Sequence, residues 1–442
     1  MMRTIDLRVH TRDVAPLSRT ELLRLVPRAA IDTTAAVELV RPLIDGVRDR
    51  GEAALRDQAR QFDRVEGHEL RVPAERIHDS LRTCPPAVRD ALESLIVKLR
   101  RASAAQVPAE QTTRFGDGAT IVQRWQPVGR VGLYAPGGKA AYPSSVIMNA
   151  VSAQAAGVPS LALASPAQHD NAGAPHEAVL WAAALAGIDE VYAIGGAGAI
   201  GAFAHGVPEI GLDAVDMVTG PGNVYVAAAK RAVTGLVGID AEAGTTEILV
   251  IADASANPDF IAADLISQAE HDEAAASVLV TDSPELAERV ASAVAGRSKL
   301  TRHAARVCEA LAGPQSAIIL VDDLVGAARV SNAYGPEHLE IQTADDAAVL
   351  AHIEDAGAIF VGAYTPVSLG DYLAGSNHVL PTGGTARFAA GLGAHTFLRP
   401  QQVISYDRAA LAMTEAPVLA LADAEGLPAH GEAVSARFTE GA

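Results

Sequence analysis

The chain has 442 residues, 49% of them hydrophobic and 20% charged, which is enough apolar material for a large core and for two to four domains of about 100–200 residues. Lys and Arg number 35 against 53 Asp and Glu, a formal charge of −18, and aromatic residues make up 4%; that field repels phosphate backbones and anionic lipid and offers little to stack on bases, so neither nucleic acid nor membrane is an expected partner. Two distant cysteines, Cys84 and Cys308, exclude a disulfide scaffold and an all-cysteine metal site, and no apolar run approaches the roughly 20 residues of a membrane span.

Residues 1–10, MMRTIDLRVH, carry charges where a signal peptide would have its apolar core, so a soluble cytoplasmic protein is expected. The stretch 36–62 places Val37, Val40, Ile44 and Val47 at three- and four-residue steps, a helical stripe. The stretch 86–102 repeats this with Val88, Leu92, Leu95 and Leu99 behind a Pro85-Pro86 start. Residues 1–120 therefore read as a mostly helical N-terminal region. After Arg124 short apolar runs appear at 131–134, 161–164, 191–194 and 217–218, with Ala-rich helical lengths such as 178–186 between them. The rhythm restarts at 248–251, 278–280, 318–321 and 359–361. Strands alternating with helices imply right-handed crossovers and parallel sheets. The predicted class is α/β, with one unit at 121–240 and a second at 241–384. Residues 385–442 lack the βα rhythm and read as an appended tail, and such tails often pack on a neighbouring subunit.

Several short segments carry chemistry, each with a plain alternative. Gly196-Ala197-Gly198-Ala199-Ile200-Gly201 matches G-x-G-x-x-G after a strand, as a pyrophosphate-binding turn or as a Gly-rich strand-to-helix turn. The fingerprint wants an acid about 20 residues on, and Asp213 and Asp216 lie early. Gln268 and His271, three apart, share a face if helical and are oxygen and nitrogen donors for a metal, or else a solvated helix end. Glu337 beside His338 offers an acid and a base at the start of a possible helix, where adjacent side chains would diverge rather than pair. Asp371 and His378 stand in a Gly-dense loop after a strand, where ligand loops and ordinary turns both occur. Glu425 and His430 add one more acid and imidazole. Gln268, His271, Asp371 and His430 together make a cysteine-free donor set suited to Zn²⁺.

Seven segments taken in order make a more specific pattern: RVGLYAPGG (130–138), TGPGNVYV (219–226), GIDAEAGTTE (238–247), SQAEHD (267–272), PEHLEI (336–341), LGDYLAGSNHVLP (369–381) and AEGLPAHGEAV (424–434). With them the chain resembles the histidinol dehydrogenase family over nearly its whole length. The resemblance implies two incomplete Rossmann-like domains, a homodimer with shared active sites, zinc and NAD as cofactors, and oxidation of L-histidinol to L-histidine in two steps, the last of histidine biosynthesis. It assigns zinc to Gln268, His271, Asp371 and His430, and catalysis to Glu337 and His338. Substrate contacts would come from Thr246, Glu425, His338 and the metal-site residues, and NAD contacts from Tyr134 and Asn223. Glu425 and His430 would act in the partner's site, making 385–442 a dimer-swapped tail.

Two positions depart from the family pattern. Gly198 stands where the family commonly has glutamine, so a side-chain contact to NAD is lost and Gly198→Gln is expected to tighten NAD⁺ binding or leave it unchanged. The G-x-G-x-x-G match exists only because of Gly198 and is set aside as the cofactor fingerprint. Thr245 replaces a proline, while Thr246 keeps the substrate hydroxyl. The alternatives to this resemblance are a zinc- and NAD-dependent dehydrogenase of another primary alcohol, and a zinc hydrolase or non-catalytic zinc-binding dimer.

Overall fold

The computed structural model describes residues 2–8, 17–26, 28, 33–137, 141–242 and 244–439. Met1, Val9, His10, Gly138 and Ala243, which belong to stretches quoted above, lie outside the described residues. In chain order the strands are β1 (Arg3–Asp6), β2 (Arg71–Val72), β3 (Gln111–Arg114), β4 (Ala119–Pro127), β5 (Arg130–Tyr134), β6 (Ser160–Ser165), β7 (Val191–Ala193) and β8 (Met217–Thr219). They continue with β9 (Gly238–Ile239), β10 (Glu247–Ala252), β11 (Ala276–Thr281), β12 (Ala317–Leu320), β13 (His338–Gln342), β14 (Ala358–Val361) and β15 (Leu398–Tyr406). Among the described residues no helix is long and apolar enough to cross a membrane.

The chain divides into two compact units. The larger comprises Met1–Gln106 and Gly129–Thr396 and holds two six-stranded sheets. One runs in the order β2-β7-β6-β5-β8-β9 and is parallel except at the β2–β7 edge. The other runs β1-β12-β11-β10-β13-β14 and is parallel throughout. The protein is thus α/β, as its alternating runs imply. β10 and β11 are buried along their whole length, which is why they read as unbroken apolar runs rather than as an alternation. Inside each sheet the strand order reverses between β5 and β8 and between β10 and β13. At the carboxyl edge such a reversal opens a crevice where ligands bind.

The helical stripe near the N-terminus forms as expected, but in pieces. The helix Thr33–Arg50 stops at Gly51, whose φ of 52° lies in the left-handed region. A short helix Glu52–Gln58 and a π-helical turn Ala59–Asp63 follow. Val40, Ile44 and Val47 pack in one core with Ile200 and Phe203 of the helix Gly196–His205.

The smaller unit comprises Val107–Val128 and Phe397–Ala442. Its sheet is antiparallel in the order β15-β4-β3. β15 pairs with β4 along nine residues, from Leu398 opposite Pro127 to Tyr406 opposite Ala119. Asp407 then caps the helix Arg408–Ala424, and a last helix spans Pro428–Ser435. Met413 and Leu421 on the first of these helices, and Ile404 on β15, are exposed.

Candidate active site

The amino edge of the second sheet gathers the titratable groups. Gly335 ends the helix Leu324–Tyr334 with a φ of 57°, in the left-handed region, and Pro336 cannot continue it. Glu337 and His338 therefore meet at the start of β13 and not at a helix start as the sequence reading had it. The two-residue alternation of His338, Glu340 and Gln342 with Leu339 and Ile341 was the signal for a strand. His338 lies level with Ile248 of the neighbouring β10, which places Thr246 and Glu247 at the same edge. The helix Pro258–Ala269 returns from the far edge and delivers Gln268 in its last turn, with His271 just beyond. Asp371 comes from the helix Val367–Tyr372, after β14.

Glu337 is the hub. Its Oε2 accepts from Thr246 Oγ1 at 2.6 Å and from the Glu247 N–H at 2.9 Å. His338 Nδ1 stands 3.4 Å from the same oxygen, so the two neighbours do pair, contrary to expectation. Gln268 Nε2 donates to Thr246 Oγ1, which leaves the amide oxygen for another ligand. His271 Nε2 is 4.0 Å from Asp371 Oδ2. His378 accepts from or donates to Ser145 Oγ at 2.8 Å and holds its Nδ1 3.1 Å from the Asp371 carbonyl oxygen. A carbonyl only accepts, so Nδ1 carries the proton and Nε2 takes the serine hydroxyl's.

Burial alone would raise the Glu337 carboxyl, but His338 and the Thr246 and Glu247 donors outweigh it and hold it below the ordinary range. Burial would likewise lower His338; the Glu337 carboxylate, with help from Asp371 and the Glu247 carbonyl, instead raises it to about 9. The buried Glu247 is pushed up to about 7 by burial, against the pull of Arg28. Its Oε2 accepts from Tyr334 OH at 3.1 Å, and Arg28 lies over that ring at 4.0 Å.

A feature the sequence reading missed lies one step deeper. Glu340, on the same face of β13 as His338, shares a buried layer with Asp264, one turn before Gln268. Gln342 Nε2 donates to Glu340 Oε1 at 2.8 Å. Burial pushes both carboxyl groups up. A carboxyl group raised on folding binds protons the unfolded chain has lost, so stability falls as pH rises from about 4.5. Glu340→Gln should therefore flatten the fall in melting temperature between pH 5 and 8 and gain a few degrees at the upper end. Thermal melts across that range check it, and an unchanged slope would show that another group is responsible.

Tyr134 and Asn223 lie elsewhere, at the carboxyl edge of the first sheet beside its order reversal. Tyr134 is buried and its hydroxyl accepts from the Gly196 N–H at 3.1 Å. Asn223 Oδ1 caps the helix Val224–Val233 by accepting from Tyr225 and Val226 N–H at 3.0 and 3.2 Å. A Cβ on Gly198 would stand 2.6 Å from Gln58 Oε1 and 3.3 Å from Leu55. Gln58 also donates to the Leu43 carbonyl at 3.0 Å. A glutamine at 198 would have to displace that side chain, so the expected neutral or tighter NAD⁺ binding requires Gln58 to yield. Glu425 and His430 belong to the smaller unit, Glu425 capping the helix Arg408–Ala424 and His430 in the first turn of Pro428–Ser435.

Two order-reversing sheets, one bearing a buried carboxylate–imidazole pair, define an α/β protein with a candidate acid–base site. The family model described as histidinol dehydrogenase matches residues 26–438. Histidinol dehydrogenase of Leifsonia xyli subsp. xyli is 62% identical over 439 residues, covering 99% of this chain and 100% of that protein. Its counterpart from Bifidobacterium longum is 55% identical over 448 residues, covering 100% of this chain and 94% of that one. The crystal structure of histidinol dehydrogenase from Elizabethkingia anophelis is similar with a TM-score of 0.90 at 30% identity, covering 99% of this chain and 98% of that one. The chain belongs to the histidinol dehydrogenase family and is an oxidoreductase.

Proposed function

We propose that this chain oxidises L-histidinol to L-histidine with zinc and NAD⁺, in two hydride transfers through L-histidinal. The observation that carries the reading is the hydrogen-bonded chain Gln268–Thr246–Glu337, with His338 paired to Glu337, in a member of this family. Among the described residues no three His, Cys, Asp or Glu side chains come together as a metal site. Zinc instead fits a mixed set: His271 and Asp371, 4.0 Å apart, with the Gln268 amide oxygen and, from a partner subunit's tail, His430. Nitrogen and oxygen donors of this kind suit a catalytic zinc. When bound, zinc supplies a positive charge that holds and polarises the amino alcohol, and NAD⁺ accepts the hydride.

The chain's own residues move the protons. His338 Nδ1 faces two acceptors, the Glu247 carbonyl oxygen at 3.2 Å and Glu337 Oε2, so Nε2 is the basic nitrogen. It takes the alcohol proton in the first oxidation and acts again as base in the second. Glu337 Oε2 is committed to its donors, which leaves Oε1 to activate the water that adds to the aldehyde carbon. Thr246 and Glu425 hold substrate, and Tyr134 and Asn223 flank the nucleotide. The exposed apolar side chains of the smaller unit support a homodimer whose tails complete the neighbouring sites.

The deciding assay is NADH absorbance with L-histidinol against other primary alcohols. Preference for another alcohol would redirect the substrate reading, and hydrolysis without NADH would replace it. Purified protein should also carry about one zinc per subunit, and Asp371→Asn should lower the retained metal. Elemental analysis after dialysis checks this; stoichiometric zinc in that variant would remove Asp371 from the ligand set.

A further inference from the structure

The side chain of Lys230, in the helix Val224–Val233, is 1% exposed, and that of its partner Asp240 is 2% exposed. The mechanism above uses neither. Taking two such charges out of water costs several kcal/mol per ion in general, and well-packed apolar residues often serve stability as well or better. The pair therefore calls for a role other than filling the core, and its contacts point to one peptide. Lys230 Nζ pairs with Asp240 Oδ1 and donates to the Gly220 carbonyl oxygen at 3.1 Å. Asp240 Oδ2 accepts from the Gly220 N–H at 2.8 Å, and Oδ1 accepts from the Ala241 N–H at 2.8 Å. Both polar groups of Gly220 are thus gripped by the two charges.

Gly220 needs such a grip. Its φ is 120°, and a Cβ there would stand 2.0 Å from the Tyr134 carbonyl oxygen. The peptide is pressed against the end of β5, where the first sheet reverses its order, and Pro221-Gly222-Asn223 follow directly. Asp240 comes after β9 and opens the connector that ends in Thr246 and Glu247. One buried pair therefore fastens the loop that leads to Asn223 to the segment that leads to the Glu337 donors.

We infer that Lys230 and Asp240 are positioning residues for the dinucleotide: they hold the Gly220 peptide so that the 219–223 loop presents its backbone and Asn223 to NAD⁺. This rests on the NAD⁺ reading above. The test compares Lys230→Met, which strands a buried carboxylate, with Lys230→Met/Asp240→Asn, which removes both charges. NADH affinity is read by fluorescence titration, alongside KM for NAD⁺ and L-histidinol, zinc content and melting temperature. The NADH Kd and the KM for NAD⁺ should rise about tenfold in both variants, the order expected for losing one charge-assisted hydrogen bond. The KM for L-histidinol and the zinc content should stay within twofold. Melting temperature should drop in the single variant and recover in the double, while NADH affinity does not. Recovery of both together would overturn the proposal and leave the pair a stability element; so would a parallel rise in both KM values. Should the single variant fail to fold, the double carries the test. Wild-type protein that binds no NADH would instead fail the nucleotide reading itself.

Discussion

Replacing His338 with alanine should slow NADH production from both L-histidinol and L-histidinal by about 10²–10⁴-fold, the usual range for losing a general base. Both oxidations release a proton as hydride leaves, and Nε2 is the His338 nitrogen that does not face Glu337. Glu337→Gln should behave differently. Only the aldehyde step needs an activated water, so histidinal oxidation should fall far more than histidinol oxidation. The same variant should move the pH dependence. Glu337 is the chief influence raising His338 to about 9, against burial, which lowers it. Without that carboxylate, His338 loses its proton at lower pH, and the rising limb of histidinol oxidation shifts the same way. Steady-state rates with each substrate between pH 6 and 10 check all three points. Equal slowing of both steps by Glu337→Gln, with an unmoved limb, would remove Glu337 from the water-activating role.

Mixing two inactive proteins, His338→Ala and His430→Ala, should restore about a quarter of wild-type activity. His338 belongs to the larger unit and His430 to the smaller. If the smaller unit completes its partner's site, a hybrid dimer has one site with both residues intact and one with both replaced. Random assortment makes half the dimers hybrid, each with one working site of two. If each tail serves its own chain, every hybrid site holds one defect and nothing returns. Met413 is 83% exposed and Leu421 64%, apolar surface that a subunit contact would cover. Chains that exchange, as shown by differently tagged hybrids, yet stay inactive would exclude the shared site.

The parallel strands were legible because burial on both faces leaves continuous apolar runs such as 248–251 and 278–280. β13 was not, because Glu337, His338, Glu340 and Gln342 give it the polar texture of a helix start; only the alternation betrays it. β3 is exposed throughout and β4 mostly half-buried, so neither carries a run, and the second partner of β4, β15, lies far along the chain, beyond any local pattern. Candidate residues at 268, 271, 337, 338 and 371 stood out by residue type and spacing, each with a plain alternative, and only the family resemblance joined them into one set. The pairing of Glu337 with His338 was hidden, because it depends on how the chain turns at Gly335-Pro336. Lys230 and Asp240 were hidden for a related reason. Ten residues apart, Asp240 falls in the 238–247 segment and Lys230 in none of the seven, and only their common hold on Gly220 joins them.

The pairing of β4 with β15 sets an order of events during synthesis. Pro127 and Leu398 are register partners 271 positions apart, and most of the chain between them belongs to the larger unit. At roughly 5–20 residues per second, β4 waits on the order of 15–55 s after leaving the ribosome before the strand that covers it exists. In that interval one edge of β4 is an open template for another nascent chain. A chain stopped before residue 398 never closes it, so premature termination should yield aggregates, whereas a chain that reaches Tyr406 protects that edge with its own β15.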